Sequence, residues 1–113
     1  MQVATLLAAV LGLIGVGLGA FGAHTLKATL EANNSTEIWK TAVLYHLIHA
    51  VASLWAAERA PVVVYLWAIG ILFFSGSLYT MSLVKLPWLG PITPLGGLFF
   101  MAGWVWIAVK AVR

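Results

Sequence analysis

The chain has 113 residues, of which 63% are hydrophobic and only 8% are charged. A soluble domain of this size needs far more polar side chains to cover its surface, so the composition predicts a protein whose main solvent is lipid. The six Lys and Arg residues are scattered singly and give a net charge of +3 without a basic run, which argues against nucleic-acid binding, and the absence of cysteine excludes disulfide scaffolds, thiolate metal sites and cysteine nucleophiles.

Four apolar stretches are each long enough to cross the roughly 30 Å hydrocarbon core of a bilayer as a helix of about 20 residues. Because lipid offers the backbone no hydrogen-bond partner, the spans must be helices, and short connections make successive helices antiparallel. We therefore predict an all-α membrane protein, an antiparallel up-down bundle of four transmembrane helices in one domain, residues 1–113. The expected spans cover approximately residues 3–26, 38–57, 62–84 and 93–112.

Turn and capping residues mark two of the connections. The longest loop is predicted at residues 27–37, where an Asn-Asn-Ser sequence ends a short helical continuation of the first span. Ser35 or Thr36 can then cap the second span. Thr93 and Pro94 are expected as the N-cap and the first residue of the fourth span.

Aromatic and basic residues suggest how the spans sit in the membrane. Trp39 and Trp55 lie near the two ends of the second span, where aromatic belts occur at membrane interfaces. The alternation of four spans places both termini on one side, and the basic residues of that side are Arg59, Lys110 and Arg113. The other side carries Lys27, Lys40 and Lys85. The cations clustered at the tail favour cytoplasmic termini under the positive-inside rule.

Small residues predict close helix packing. They recur at steps of three and four along the first span, which places them on one stripe, and further glycines lie in the third and fourth spans. The expected packing glycines are Gly12, Gly15, Gly19, Gly22, Gly76, Gly96, Gly97 and Gly103. A neighbouring backbone, within the chain or in another subunit, can approach closely at such positions.

Polar residues from all four spans are expected in the half of the membrane opposite the termini. His46 and His49 are three residues apart and therefore near neighbours on one face of the second span. Ser75 and Tyr79 are four residues apart on the third span and are likewise neighbours on one helical face. The candidate polar membrane site comprises His24, Tyr45, His49, Ser75, Ser77, Tyr79 and Thr93.

Several interpretations of this layer remain open. A neutral histidine inside the membrane can bond to Ser or Tyr on a neighbouring helix and hold the bundle together. Ionisable groups in a span can also mark a path for protons or a small solute, although no carboxylate is available within a span. His24, His46 and His49 are possible ligands for zinc or copper, and two of them for haem iron. Ser75 and Ser77 lack a nucleophile elbow and an acidic partner, which argues against a hydrolase.

Five motifs in order along the chain form a recognisable set. They are Gly19-Ala20-Phe21-Gly22-Ala23-His24, Tyr45 with His49, Phe74-Ser75-Gly76-Ser77-Leu78-Tyr79, Thr93-Pro94-Leu95-Gly96-Gly97 and Gly103-Trp104. In these motifs the chain resembles the YgdD/YwdK-type family of small four-span membrane proteins, a family of unknown function, over essentially its whole length. His46 lies outside the shared pattern. The resemblance implies a multi-pass protein of the bacterial plasma (inner) membrane with both termini cytoplasmic, and it supplies no reaction or catalytic residue.

From these observations we expect a small membrane component that acts through its membrane-embedded surface. Its expected partners are membrane lipids and either further copies of itself or a larger membrane complex. Nucleic acid is not an expected partner. The alternatives are a transporter or permeation protein that uses the polar layer, and a histidine-ligated metal or haem protein. No cofactor is predicted. The sequence leaves an enzymatic activity undecided, although the absence of a catalytic pattern argues against one.

Overall fold

The computed structural model describes residues 2–113, and every regular element within that range is a helix. The first half of the chain forms α1 (Val3–Ala23), the short α2 (Lys27–Ala32) and α3 (Thr36–Ala56). The second half forms α4 (Pro61–Gly70), a π-helical turn (Ile71–Ser75) and α5 (Gly76–Leu83), followed by a 3-10 turn (Pro87–Leu89) and α6 (Ile92–Ala111). The chain is therefore all-α, as the composition predicted.

Three helices are long and apolar enough to cross a membrane by length and composition. They are Val3–Ala23, the continuous helix Pro61–Leu83 that joins α4 to α5, and Pro87–Ala111. Helix α3 has the same length as α1 but includes Glu37, Lys40, His46 and His49, and within residues 2–113 it is not among the candidates. Three of the four predicted spans thus correspond to candidate membrane helices, whereas the second does not because its composition is mixed.

The connection between α1 and α3 is fixed by a helix-ending motif. Asn34 has a φ of 54°, a left-handed conformation that Asn adopts more readily than most residues. The backbone N–H of Asn34 donates to the carbonyl of Glu31 at 3.1 Å, and that of Ser35 donates to the carbonyl of Leu30 at 2.9 Å. This pair of bonds is the Schellman arrangement, which ends α2 and turns the chain into α3.

Three expectations about helix ends are corrected. Helix α1 ends at Ala23 rather than near Leu26, because the chain turns at residues 24–26 before α2 begins. Ser35 occupies the N-cap position of α3, but its hydroxyl donates to the carbonyl of Ser82 at 2.8 Å instead of serving as a cap acceptor. Thr93 lies inside α6, which starts at Ile92, and its hydroxyl bonds to Ser77 rather than to the start of its own helix.

The predicted position of Trp39 is also corrected. The sequence suggests an interfacial belt position, but the side chain is only 3% exposed. Its indole N–H donates to the carbonyl of Leu18 on α1 at 2.9 Å, and its ring fills the space left by the absent side chain of Gly22. Trp39 therefore anchors α3 to α1, whereas Trp55 is 48% exposed and remains at the surface.

The long helices pack in a continuous arrangement around α3. Helix α3 contacts α1, α4, the π-helical turn and α5, while α6 packs against α4 and the π-helical turn. The main apolar cluster is built around Trp67, which is fully buried and donates its indole N–H to the carbonyl of Phe100 at 3.0 Å. This packing determines which side chains of α3 face its neighbours.

Candidate functional site

Helix α3 presents its histidines and Ser53 to the rest of the bundle and several large apolar side chains outward. His46, His49 and Ser53 are each at most 4% exposed. Large apolar residues of the same helix lie on its outer face: Leu44, Ile48, Val51 and Leu54. This polarity is the reverse of that of a helix on the surface of a soluble protein, and it suits a helix whose outer face contacts lipid. We call the buried polar face of α3, with its partners on other helices, the polar seam.

His46 joins α3 to two other helices. One ring nitrogen, Nε2, lies 2.8 Å from the carbonyl oxygen of Leu11 on α1, and the other, Nδ1, lies 2.9 Å from the hydroxyl of Tyr79 on α5. A carbonyl can only accept, so Nε2 carries the proton and donates it. In the neutral imidazole Nδ1 then accepts a hydrogen bond from Tyr79, which is the Nε2–H tautomer.

His49 is held as the opposite tautomer. Its Nδ1 donates to the carbonyl of Tyr45 at 2.8 Å, and its Nε2 accepts from the indole N–H of Trp104 on α6 at 3.0 Å. The ring stacks on Phe100 with centroids 3.7 Å apart and planes 9° apart, and it meets Trp67 edge-on at 5.5 Å. Aromatic rings thus enclose the imidazole, and both of its nitrogens are already bonded.

Hydroxyl groups add further bonds inside the bundle, and two of them go to backbone oxygens of α3. Ser75, at the end of the π-helical turn, is fully buried and donates to the carbonyl of Ala42 on α3 at 2.8 Å. Ser53 donates to the carbonyl of His49 at 2.6 Å. Ser77 lies 2.5 Å from the Thr93 hydroxyl, which joins α5 to α6. Within residues 2–113, every buried polar side-chain atom has a hydrogen-bond partner.

The structure does not gather all the candidate residues at one point. His46 and His49 diverge, because His46 bonds toward α1 and α5 while His49 bonds toward α6. His24 is exposed at the end of α1, and Tyr45 is 41% exposed and contributes its backbone carbonyl to His49. Among residues 2–113, no group of three or more His, Cys, Asp or Glu side chains could hold a metal ion.

The chemistry of the polar seam follows from these bonds. A histidine ligates a metal or accepts a transferred proton through an unprotonated ring nitrogen. In His46 that nitrogen accepts from Tyr79, and in His49 it accepts from Trp104. Either reaction therefore first requires the loss of a hydrogen bond between helices. The geometry suits a role in joining helices.

The glycines predicted for packing fall into two groups. Gly15, Gly19 and Gly22 face α3, where they lie against Leu47, Val43 and Trp39 respectively. On α6, Gly96 lies against the backbone of Phe74 and Gly70, and Gly103 lies against the ring of Trp67. Gly12, Gly76 and Gly97 occupy looser positions, since a Cβ would meet nothing within 4 Å at Gly12 among the described residues and nothing closer than 3.9 Å at the other two.

Several residues that bond inside the bundle were not selected as site residues from the sequence. Trp104 and Trp67 donate indole N–H groups within the bundle, and Ala42 and Leu11 contribute only carbonyl oxygens. A buried tryptophan needs a partner for its indole N–H. Tryptophans in the middle of apolar helices could therefore have been predicted to donate hydrogen bonds inside the bundle. Any residue type can supply a backbone carbonyl, so the sequence does not reveal which carbonyls accept these bonds.

Comparisons with known proteins place these features in a context. A family model described as a protein of unknown function (DUF423) matches residues 18–97. The chain is 39% identical to the UPF0382 membrane protein YwdK of Bacillus subtilis (strain 168), and the match covers 100% of the chain and 98% of that protein. It is 40% identical to the UPF0382 inner membrane protein YgdD of Escherichia coli (strain K12), over 94% of the chain and 86% of that protein. No solved structure matches the chain significantly.

Proposed function

The chain belongs to the DUF423 family of proteins of unknown function, and on that basis we propose that it is a four-span inner-membrane protein that serves as an oligomeric or accessory component. In this proposal the polar seam joins the helices, and the lipid-facing surface contacts other membrane proteins. Both termini are cytoplasmic. A route for protons or solutes along the seam is the competing function.

The observation that carries the proposal is the bonding of the two buried histidines. Each ring nitrogen of His46 and His49 is used in a bond, and three of these four bonds reach another helix. Each such bond inside a membrane stabilises a bundle by about 0.6 kcal/mol on average and up to about 1.7 kcal/mol. A set of bonds directed to α1, α5 and α6 supports a structural role for this layer.

The composition of α3 is compatible with a fourth span because its polar groups lie near the start of the helix or face the rest of the bundle. Lys40 and Glu37 lie in its first turns, where they reach the interface, and they form an exposed ion pair at 3.8 Å. The deeper polar residues are bonded to other helices, so the bilayer meets mainly the apolar outer face. Polar groups within spans characteristically face the bundle interior.

The topology can be tested with two single-cysteine variants, because the native chain has no cysteine. Glu31 in α2 and Glu58 after α3 are both exposed and lie at opposite ends of α3. We expect Glu31→Cys to react with a membrane-impermeant maleimide from the periplasmic side of intact cells. We expect Glu58→Cys to react only after the membrane is opened. A buried control, Ala50→Cys, should remain unlabelled in both conditions.

The topology experiment also has a clear contradicting outcome. If both glutamate positions are labelled from the same side, α3 does not cross the bilayer and the four-span proposal fails. If the sides are exchanged, the four spans stand and the cytoplasmic placement of the termini fails. Labelling of Arg113→Cys, which is exposed at the end of the chain, gives an independent measurement of the terminal side.

The oligomeric or accessory role is supported by the large helix surface that is available for contacts with other proteins. The connections between helices are short, so most of the outer surface belongs to helix faces, and Gly12 leaves space on α1 with nothing within 4 Å of a Cβ among the described residues. We expect protein crosslinked in its native membrane, or extracted gently, to have a mass above that of the monomer. A strictly monomeric mass with no retained partner in both measurements would contradict this role.

A further inference from the structure

The end of the molecule at which α3 and α6 terminate carries a concentration of positive charge. Arg59 follows α3, and Lys110 and Arg113 lie in the last turn of α6 and just beyond it. Glu58 is the acidic residue next to Arg59 in the sequence. We call the surface formed by Trp55, Arg59, Ile107 and Lys110 the basic corner.

Two of these cations are held in place by specific contacts. The Lys110 ammonium donates to the backbone carbonyl of Arg59 at 2.5 Å, which ties α6 to the turn after α3. The Arg59 guanidinium donates to the carbonyl of Trp55 at 3.0 Å and lies 4.7 Å from the centroid of the Trp55 ring. A cation over an indole face is stabilised by the charge distribution of the ring. The two positive groups are therefore kept close together at one surface.

These cations have no acidic partner in the described part of the chain. The one ion pair within residues 2–113 joins Lys40 to Glu37 near the start of α3, away from this corner. A guanidinium has five N–H donors and an ammonium has three, and the structure assigns one acceptor to each. Most of their donor capacity thus faces outward and is available to an anion.

An apolar groove adjoins the two cations. It has a volume of about 210 Å³ and lies between α3 and α6, lined by Trp55, Ala60, Ile107 and Ala111 beside Arg59 and Lys110. A second, larger groove, of about 690 Å³, runs along α6 past Trp106 and Val109, and Lys110 and Arg113 lie at its edge. An apolar groove with cations at one end matches a molecule with an anionic head and a hydrocarbon chain.

We propose that the basic corner binds an anionic phospholipid, with its phosphate against Arg59 and Lys110 and its acyl chains along the grooves beside α6. The inference rests on the proposed placement of the protein in a membrane with this end at the cytoplasmic leaflet, whose anionic lipids attract basic residues. Another apolar groove, of about 370 Å³ between α1 and α3, also has a lysine at its edge. That lysine, Lys40, is paired with Glu37, so this groove offers less net charge to a phosphate.

The test measures lipid retention by the purified full-length protein. Protein in a zwitterionic detergent is mixed with equal amounts of phosphatidylglycerol and phosphatidylcholine, and bound lipids are counted by native mass spectrometry. We expect the wild type to retain phosphatidylglycerol in preference to phosphatidylcholine. In the double variant Arg59→Gln/Lys110→Gln, the ratio of bound phosphatidylglycerol to bound phosphatidylcholine should fall by about tenfold or more. The matched controls Lys40→Gln and Lys85→Gln, which remove cations elsewhere, should keep it.

Other results overturn the proposal. Equal retention of the two lipids by the wild type, or an equal loss of preference in the Lys40→Gln control, means that no anionic site exists at this corner. Displacement of the lipid by soluble glycerol phosphate at similar concentration means that the site takes a headgroup alone. If the double variant misfolds, the single variant Lys110→Gln still tests the proposal, and it should show an intermediate preference.

Failure of this proposal is distinguishable from failure of the proposed function. Membranes containing the protein are washed with alkaline carbonate before extraction. Protein removed by the wash is not embedded, which defeats the proposed function itself. Protein that resists the wash but shows no preference for phosphatidylglycerol leaves the four-span proposal intact and defeats only the lipid site.

Discussion

Replacing Gly96 by alanine is expected to destabilise the helical bundle by about 3 kcal/mol, at the upper end of the usual cost of overpacking. A Cβ at this position would overlap the backbone nitrogen of Phe74 and lie 2.8 Å from the carbonyl oxygen of Gly70. Backbone atoms cannot rotate away as a side chain can, so α6 must move off the π-helical turn. Unfolding of the detergent-solubilised protein by sodium dodecyl sulfate, followed by tryptophan fluorescence, measures the effect.

The neighbouring glycine provides a matched control. The nearest atom to a Cβ at Gly97 is the Cδ2 of Phe74 at 4.0 Å, which is an ordinary contact. Because alanine also favours the helix by about 1 kcal/mol over glycine, Gly97→Ala should be as stable as the wild type or slightly more stable. Equal destabilisation of the two variants would show that α6 does not meet the π-helical turn through Gly96.

His46 gives the second large effect, and two substitutions there separate structure from proton chemistry. His46→Leu leaves the part-buried Tyr79 hydroxyl without its acceptor and removes the donor to the Leu11 carbonyl, so we expect a loss of about 1–3 kcal/mol. His46→Gln supplies an amide N–H for Leu11 and an amide oxygen for Tyr79. We therefore expect Gln to retain most of the stability that Leu loses, measured by the same unfolding experiment.

Flux measurements with these variants test the competing function. A glutamine side chain does not titrate near neutral pH, so it can replace a structural histidine but not one that relays protons. Proteoliposomes loaded with a pH-sensitive dye should acidify at the same rate with wild type, with His46→Gln and without protein. Wild-type flux well above that of empty liposomes, lost in a stable His46→Gln variant, would establish a proton path and contradict the structural role.

Composition and periodicity predicted the helices well because a low-polarity chain leaves the backbone few alternatives. The π-helical turn at residues 71–75 was not predictable, since Ile-Leu-Phe-Phe-Ser reads as ordinary apolar helix. The turn packs against Gly96 of another helix, a contact that the local sequence does not show. Trp39 was misplaced for a related reason. A tryptophan near the end of a span suits both an interface and a neighbouring glycine, and the partner, Gly22, lies on another helix.

The candidate site shows a similar limit. The sequence selected His49, Ser75, Ser77, Tyr79 and Thr93, and each of them takes part in a hydrogen bond inside the bundle. Spacing along one helix suggested that His46 and His49 act together, but a three-residue separation also turns the two rings by enough to meet different neighbours. The partners that fix their tautomers are a carbonyl of α1 and an indole of α6, and no local pattern specifies either.

The mixed polarity of α3 has a consequence for biosynthesis. A helix with buried histidines and serines enters hydrocarbon alone at a cost, because its polar groups find their partners only on other helices. The partners on α1, the carbonyls of Leu11 and Leu18, are synthesised first, whereas those from Ser75, Tyr79 and Trp104 come later. In the proposed four-span topology the polar groups of α3 therefore gain all their partners only when α6 has been made. A truncated chain lacking α6 would leave His49 without the Trp104 N–H and expose an unfinished polar face to lipid and to membrane proteases.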